Sequence, residues 1–479
     1  MEQIDRIFWI IALVFGVLGG INFVYMAIGV LFKSKKYKPT DKQHTYAFTI
    51  CAKNEEDTIV QVIESIKKQD YPADKIAIFV IADNCTDKTA QLAREAGAIV
   101  YERTEPPKRK TKGSAMQFLV DRINESYPDG IQTWDGVFSV DADNLISTNF
   151  VTEYNKAFDN KRYDFFNGYI NSSNTGTTFV SAASAVSVLR INSYTLRGKT
   201  YLGISHLARG RAVLFRSFLL ADGWKYTNLT EGVAAGCDWI SQGYQSTHCD
   251  AAEIFEEQPI TAKIFFRQRM RWSRGRFLDG LRYLPILFVG LFWPFKRTPA
   301  NSASKGQPER KLTRWQKFKE GFIKRFNCYD AIIQCFPISV VTFFIGFLYP
   351  VAVAIYSLAA GTVSSFVPML TLVGLYYAGF YLQALLMDAV IVIREYKRLR
   401  IKPSKVFKTI WLYPFFNMAL QWTELYSLVV PVGWKKIPHV ESSGIEDVQS
   451  KQTLEEAITE TMQKAPLAKK AKTTSASST

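Results

Sequence analysis

Charge is absent from two long stretches of this 479-residue chain, 7–32 and 331–387. Each exceeds the roughly 20 apolar residues that carry a helix across a bilayer, which excludes a wholly aqueous protein. Cysteine is sparse. The six residues Cys51, Cys85, Cys237, Cys249, Cys328 and Cys335 form no CxxC pair and no zinc-ligand spacing, so a zinc module is excluded. Their even number would permit disulfides, but a cytosolic domain keeps its thiols reduced, and free cysteines are expected. A net-basic leader before the first apolar run is also missing, because Glu2 and Asp5 outweigh Arg6. That disfavours a cleaved signal peptide and leaves a retained membrane segment. No internal repeat is present.

Cationic charge, by contrast, is abundant: 59 Lys and Arg against 43 Asp and Glu, a net +16. Its placement excludes nucleic acid as the expected partner. Lys33, Lys35, Lys36 and Lys38 follow the first apolar run. A second cluster fills Lys296 to Arg325, and a third, Arg394 to Lys405, follows the last charge-free region. Basic residues abutting apolar segments mark the cytosolic side of a membrane. The expected partners are therefore membrane lipids, with a multi-pass chain in the cell membrane and its aqueous domain in the cytosol.

That domain opens at Tyr46. Tyr46–Cys51 reads as a strand, followed by a helix with Ile59, Val62, Ile63 and Ile66 on one face. Ile76–Ile81 is a second strand, and Thr86 is placed to cap the next helix, which Gly97 closes. Ala98–Tyr101, a helix from about Gly113 and a strand at Val137–Val140 follow. This alternation predicts an α/β fold with a parallel sheet covered on both faces. Ligands of such sheets bind at the carboxyl ends of strands, where Asp83 and Asp141 fall. The pattern divides the chain into a membrane helix with basic flank (1–38), a catalytic domain (39–276), interfacial segments (277–329), membrane helices (330–436) and a disordered tail (437–479). Pro285 and Pro294 suggest that the segment after 277 lies in the interface. Residues 331–387 predict a helical hairpin turning near Gly361 to Pro368. Residues 409–434, with Pro414 and Glu424, either span or re-enter.

Asp141-Ala142-Asp143 sets two carboxylates one residue apart at a strand end, one for a nucleotide and one for a divalent cation with oxygen ligands. Bare DxD triplets are common in loops, and Asp83-Asn84-Cys85-Thr86-Asp87 adds carboxylates at a second strand end. Gln268, Arg271 and Trp272 form QxxRW: an amide, a guanidinium suited to phosphate oxygens and a flat aromatic suited to sugar. The plainer alternative is a basic amphipathic helix on a membrane surface. The Glu257-Gln258-Pro259 lead-in favours a site.

On these residues the chain resembles family 2 glycosyltransferases of the QxxRW type, among them cellulose, hyaluronan, chitin and poly-N-acetylglucosamine synthases. The resemblance runs from about 45 to 275. It is carried by Ala52–Glu55, Asp83, Lys112–Met116, Asp141–Asp143, Leu229–Glu231 and Gln268–Trp272. It implies a GT-A (Rossmann-like) domain with transmembrane and interfacial helices, a UDP-sugar donor, Mg2+ or Mn2+, and inverting transfer. By that analogy Cys51, Lys53, Glu55, Asp83, Lys112 and Asp141 hold the nucleotide, Asp143 the metal, and Gln268, Arg271 and Trp272 serve donor and acceptor.

One departure is chemical. The third residue of the family's TED triplet is the presumed general base, and here the triplet is Thr230-Glu231-Gly232. The Leu207–Arg211 segment, where the family often has a Gly-rich acceptor turn, keeps little beyond Gly210. Glu231 or Asp238 is left to stand in as base, and Gly232→Asp is expected to restore turnover if neither does. The expected function is synthesis of an extracellular or capsular β-glycan. The alternatives are transfer of one sugar to a lipid acceptor, or a silent scaffold acting with a partner subunit. A plain transporter leaves the carboxylates and QxxRW unexplained.

Overall fold

The computed structural model describes residues 2–104, 111–160, 162–293, 313–361, 367–399, 403–430 and 445–446. Among these, eight strands join in one sheet: β1 (Tyr46–Ala52), β2 (Ile76–Asp83), β3 (Ile99–Arg103), β4 (Gly136–Asp141), β5 (Leu145–Ile146), β6 (Phe165–Ser172), β7 (Val213–Arg216) and β8 (Ser246–Glu256). Their order is β3-β2-β1-β4-β7-β6-β8-β5. The first four are parallel, as the alternation predicted. β7 then runs antiparallel to both β4 and β6, so the sheet is mixed rather than wholly parallel.

Period-two side chains explain the two cores. Tyr46, Phe48 and Ile50 pack on one face with Phe138, Phe150 and Tyr154. Ala47 packs on the other with Phe79, Leu119, Val137 and Trp239. The helices of the domain are α2 (Ile59–Lys67), α3 (Thr89–Glu95), α4 (Lys112–Ser126), α5 (Phe150–Phe158), α6 (Phe179–Arg190), α7 (Arg197–Leu202) and α8 (Glu231–Ser241), preceded in the chain by α1 (Glu2–Leu31). Gly97 ends α3 at φ +87°, as expected of a left-handed cap residue. The cap at its start is not Thr86. The N-cap position is Lys88, with no side-chain cap, and the first helical residue, Thr89, donates its N–H to Asp87 Oδ1 at 3.0 Å, while the Thr86 N–H goes to Asn54 Oδ1 at 2.8 Å.

Helix α9 (Ala262–Phe292) departs from the sequence reading. It runs unbroken through residue 276 and through Pro285, where a separate interfacial segment was expected. Tertiary packing compensates for the missing proline N–H: Leu287, Gly280 and Asp279 of this helix are buried against its neighbours. α10 (Arg314–Cys335) exposes Trp315, Phe318 and Phe322 among its lysines and arginines. α11 (Ile338–Ala359) and α12 (Val367–Leu399) are the two helices expected of the apolar hairpin, and α13 (Pro403–Val429) is one continuous helix across Pro414. Residues 362–366 of the expected turn, Pro294, the basic stretch 296–312, Lys435, Lys436 and the tail other than 445–446 lie outside the described residues. Ile445 is buried with Leu145 and Phe255.

Three described helices are long and apolar enough to cross a membrane: Arg6–Leu31, Val340–Ala359 and Met369–Leu399. Ion pairs tie the last of these to the sheet. Arg398 meets Asp250 at 3.2 Å and Glu253 at 3.0 Å, and Arg197 joins Asp250 and Glu395 at 2.9 Å each. α1 docks by close backbone approach. A Cβ on Gly198 would lie 2.0 Å from the Tyr25 carbonyl oxygen, so only glycine fits there.

Candidate active site

The carboxyl ends of β1, β2 and β4 open into a cavity of about 1150 Å3. Twelve of the residues the sequence nominated for the site line it: Cys51, Lys53, Glu55, Asp83, Lys112, Asp141, Asp143, Glu231, Gly232, Gln268, Arg271 and Trp272. Asp238 does not. It accepts the Tyr226 hydroxyl at 2.6 Å, so the second candidate for a substitute base is occupied elsewhere.

Lys112 begins α4, whose first turn is closed by reciprocal bonds between Thr111 and Ser114. Its ammonium contacts Asp141, donates to the Gly210 carbonyl oxygen at 2.6 Å and lies 3.8 Å from Glu231. Burial would lower its pKa, but Asp141 and Glu231 outweigh burial and hold it above the ordinary lysine value. Glu231 is the first residue of α8, where the helix dipole favours an anion. Its carboxyl is nevertheless raised above the ordinary value. Burial is the largest cause; Lys112 opposes it and Asp141 adds to it. The Cys51 thiol, pushed up to about 12 by burial, stays neutral.

Position 232 has no room for a side chain. A Cβ there would stand 2.5 Å from Gly210 N, 2.8 Å from Gly210 Cα and 2.9 Å from Ala208 O. The residue that the resemblance aligns with the general base is thus packed against the Ala208–Gly210 turn, and the carboxylate facing the cavity is its neighbour, Glu231.

The QxxRW residues sit on α9 at i, i+3 and i+4, one face of the helix. Burial lowers the Arg271 pKa, while Glu231 and Asp141 pull it back. Arg211 and Arg269 each place a guanidinium carbon 4.9 Å from the Trp272 ring centroid.

Residues 43–275 match the model of a glycosyltransferase-like family 2. Residues 43–275 are thus similar to a family 2 glycosyltransferase domain. Its mixed Rossmann-like sheet agrees with the GT-A expectation. A probable glycosyltransferase of Bacillus subtilis, YdaM, is 27% identical over 268 residues, 52% of this chain and 58% of its own. A β-monoglucosyldiacylglycerol synthase of Nostoc is 22% identical over 270 residues, 54% of this chain and 56% of its own. The chain thus spans little more than half the length of these curated relatives. The mannosyltransferase PcManGT of Pyrobaculum calidifontis, solved with GDP-Man and Mn2+, overlaps 82% of the chain and 99% of its own at 14% identity, with a TM-score of 0.47.

Two features of the transferase domain escaped the sequence reading. Arg103 grips Asp83 with both ends of its guanidinium, Nε to Oδ1 and Nη2 to Oδ2, each at 2.8 Å. Asp83 and Arg103 are register partners on β2 and β3, and a charged residue ending a neighbouring strand was the available signal. Arg211 pairs with Glu256 (2.5 and 2.9 Å), which also accepts from Gln258 at 2.7 Å.

For a divalent cation the domain offers Asp141 and Asp143 at the end of β4. No group of three His, Cys, Asp or Glu converges among the described residues. That donor set suits a hard cation held by one or two carboxylates and completed by phosphate oxygens and water.

Proposed function

We propose that this chain transfers a sugar from a UDP-sugar, with inversion, onto a hydroxyl of an acceptor that enters from the membrane side. Glu231 is the general base. The observation that carries this reading is a largely buried carboxylate of raised pKa, Glu231, which lines the cavity 3.8 Å from Lys112 and within the electrostatic reach of Asp141 and Arg271. An upward shift makes the carboxylate a stronger base for taking a hydroxyl proton. The acceptor oxygen attacks the anomeric carbon as the bond to the diphosphate breaks, and its proton passes to Glu231. Lys112 and Arg271 supply positive charge to the donor side. Asp143, with Asp141, would hold Mg2+ or Mn2+, which would neutralise the leaving diphosphate.

The acceptor class follows from part of the cavity lining, where Phe336, Pro337 and Ile338 at the junction of α10 and α11 line it together with Asn22 of α1. An apolar wall at the root of apparent membrane spans favours a lipid acceptor. The name of the Nostoc relative points the same way. Extension of a β-glycan is the second reading, favoured by the flat Trp272 ring on the cavity wall.

The test is UDP release by the full chain in proteoliposomes, with a panel of UDP-sugars, with and without Mn2+ or Mg2+. Donor-selective, cation-dependent release that Glu231→Gln abolishes supports the proposal. Release that survives Glu231→Gln refutes the assignment of the base.

A further inference from the structure

The acceptor half of the cavity is more cationic than transfer to a neutral hydroxyl requires. Arg209 and Arg211 come from the turn between α7 and β7, and Arg269 from the helix opposite; all three line the cavity. Arg211 is neutralised by Glu256. Arg209 donates from Nη1 to the neutral Asn192 Oδ1 at 2.6 Å. Arg269 lies over Phe265 and Trp272, and its buried Nε has no hydrogen-bond partner. Orienting the Trp272 ring would need one stacked guanidinium, not two with a third behind them.

Among charged neighbours, Arg271 responds first to Glu231 and Asp141 and only then to Arg211, whereas Arg209 and Arg269 respond to Arg211, to Glu256 and, for Arg209, to Arg269. Arg211 is thus shared, while Arg209 and Arg269 lie on the side away from Glu231 and Asp141 in their electrostatic coupling. Burial first, and repulsion by Arg211, push Arg209 down to about 9. Burial is also the chief cause of the fall of Arg269 to about 10. Buried cations without anionic partners are costly, and an incoming anion recovers that cost. The planar guanidinium fork matches phosphate oxygens two at a time.

We infer that the acceptor is an anionic lipid bearing a hydroxyl, its phosphate held by Arg209 and Arg269 while the hydroxyl faces Glu231. A phosphate-bearing headgroup fits the guanidinium end, and acyl chains fit the wall that continues through Phe336 and Ile338 onto the helices. The inference rests on the proposed function and deepens it by naming the acceptor.

The experiment uses the full chain in phosphatidylcholine nanodiscs containing either phosphatidylglycerol, which has a phosphate and free hydroxyls, or diacylglycerol, which has only the hydroxyl. Retained lipid is read by native mass spectrometry, and sugar transfer is read separately. Retention of phosphatidylglycerol over diacylglycerol is expected. Arg269→Gln and, independently, Arg209→Gln should each weaken that retention about tenfold, the worth of one charge-assisted hydrogen bond. Arg269→Lys should restore part of it. Stabilisation by UDP should persist in all three variants and certifies their fold. Equal retention of the two lipids overturns the inference. So does a loss of UDP binding in a folded variant, which would assign the cluster to the donor. Displacement by a glucuronate-containing oligosaccharide without any lipid preference overturns it in favour of an acidic glycan. Retention is read without turnover, so selective binding with no transfer would sink the proposed function and with it the acceptor role, leaving only an anionic-lipid site at Arg209 and Arg269.

Discussion

Introducing an acid at position 232 separates two accounts of the site by the sign of its effect. If Gly232 were a vacated base position, Gly232→Asp would restore general-base catalysis, worth on the order of 10²–10⁴ in rate. The packing argues the reverse. The new Cβ would sit 2.5 Å from Gly210 N, where relaxed heavy-atom contacts lie near about 3.5–4.0 Å. Gly210 cannot easily yield, since it holds φ +78° in the left-handed region. Its carbonyl oxygen also anchors Lys112 at 2.6 Å. Overpacking of this kind costs about 1–3 kcal/mol. Removing a glycine from a helix returns at most about 1 kcal/mol. The net effect is therefore destabilising, by roughly 1–2 kcal/mol, or a fall of about 2–8 °C in Tm for a domain of this size. Turnover should fall too, because Lys112 loses its carbonyl partner.

The assay is UDP release alongside thermal unfolding for the parent, Gly232→Asp and Glu231→Gln with Gly232→Asp. Both variants are expected to be slower than the parent, and the double variant should show no rescue. A tenfold or larger gain in Gly232→Asp with unchanged Tm would refute the steric argument and return the base to position 232.

Other consequences are open to direct measurement. Because burial raises Glu231 above the ordinary glutamate value of 4.5, kcat/KM should lose activity as pH falls through a pKa above 4.5; an acid limb at or below that value speaks against it as base. Asp143→Asn should raise the Mn2+ concentration needed for half-maximal release, and chelation with EDTA should abolish release reversibly; cation-independent activity counts against the assigned ligands. Arg103→Ala leaves Asp83 buried without its partner and should cost about 3–5 kcal/mol on unfolding, together with weaker UDP binding; an unchanged melt contradicts the grip seen here. Arg398→Ala removes the α12 cation from Asp250 and Glu253 but leaves Arg197 on Asp250 at 2.9 Å, so it should cost less than Arg103→Ala and be read as earlier proteolysis of that helix.

Much of the donor half was legible because it is built from local signals. β1 and β2 announce themselves as apolar runs, and the DxD and QxxRW residues reach the cavity simply by ending a strand or sharing a helix face. The antiparallel β7 and the parallel β6–β8 pair were not legible. Phe165–Ser172 mixes Asn, Gly and Ser with aromatics and is buried throughout by pairing that no local pattern encodes. Pro285 misled for a physical reason. A proline breaks an isolated helix, but three packed neighbours outweigh one lost hydrogen bond. The meaning of Gly232 was invisible for a third reason, since it depends on which backbone lies 2.5 Å away.

α9 shows why the site and the membrane helices form one unit. At 1.5 Å per residue its 31 residues extend roughly 46 Å. Its first half carries Gln268, Arg271 and Trp272 into the cavity. Further along, Asp279 accepts from Thr230 Oγ1 at 2.5 Å and also from Asn228, fixing the loop that delivers Glu231. Between them Arg274 donates to the Ser427 and Leu428 carbonyl oxygens at 3.0 and 3.2 Å, satisfying the open end of α13. Arg276 reaches Glu424 on the same helix at 3.7 Å. A soluble fragment ended at residue 276, where composition alone would cut, keeps QxxRW but removes Asp279. Thr230 and Asn228 then lose their acceptor one residue before the base. One helix carries Gln268, Arg271 and Trp272 into the cavity, fixes the loop before Glu231 through Asp279 and holds α13 through Arg274. The geometry of the candidate site therefore depends on residues beyond the domain that composition delimits.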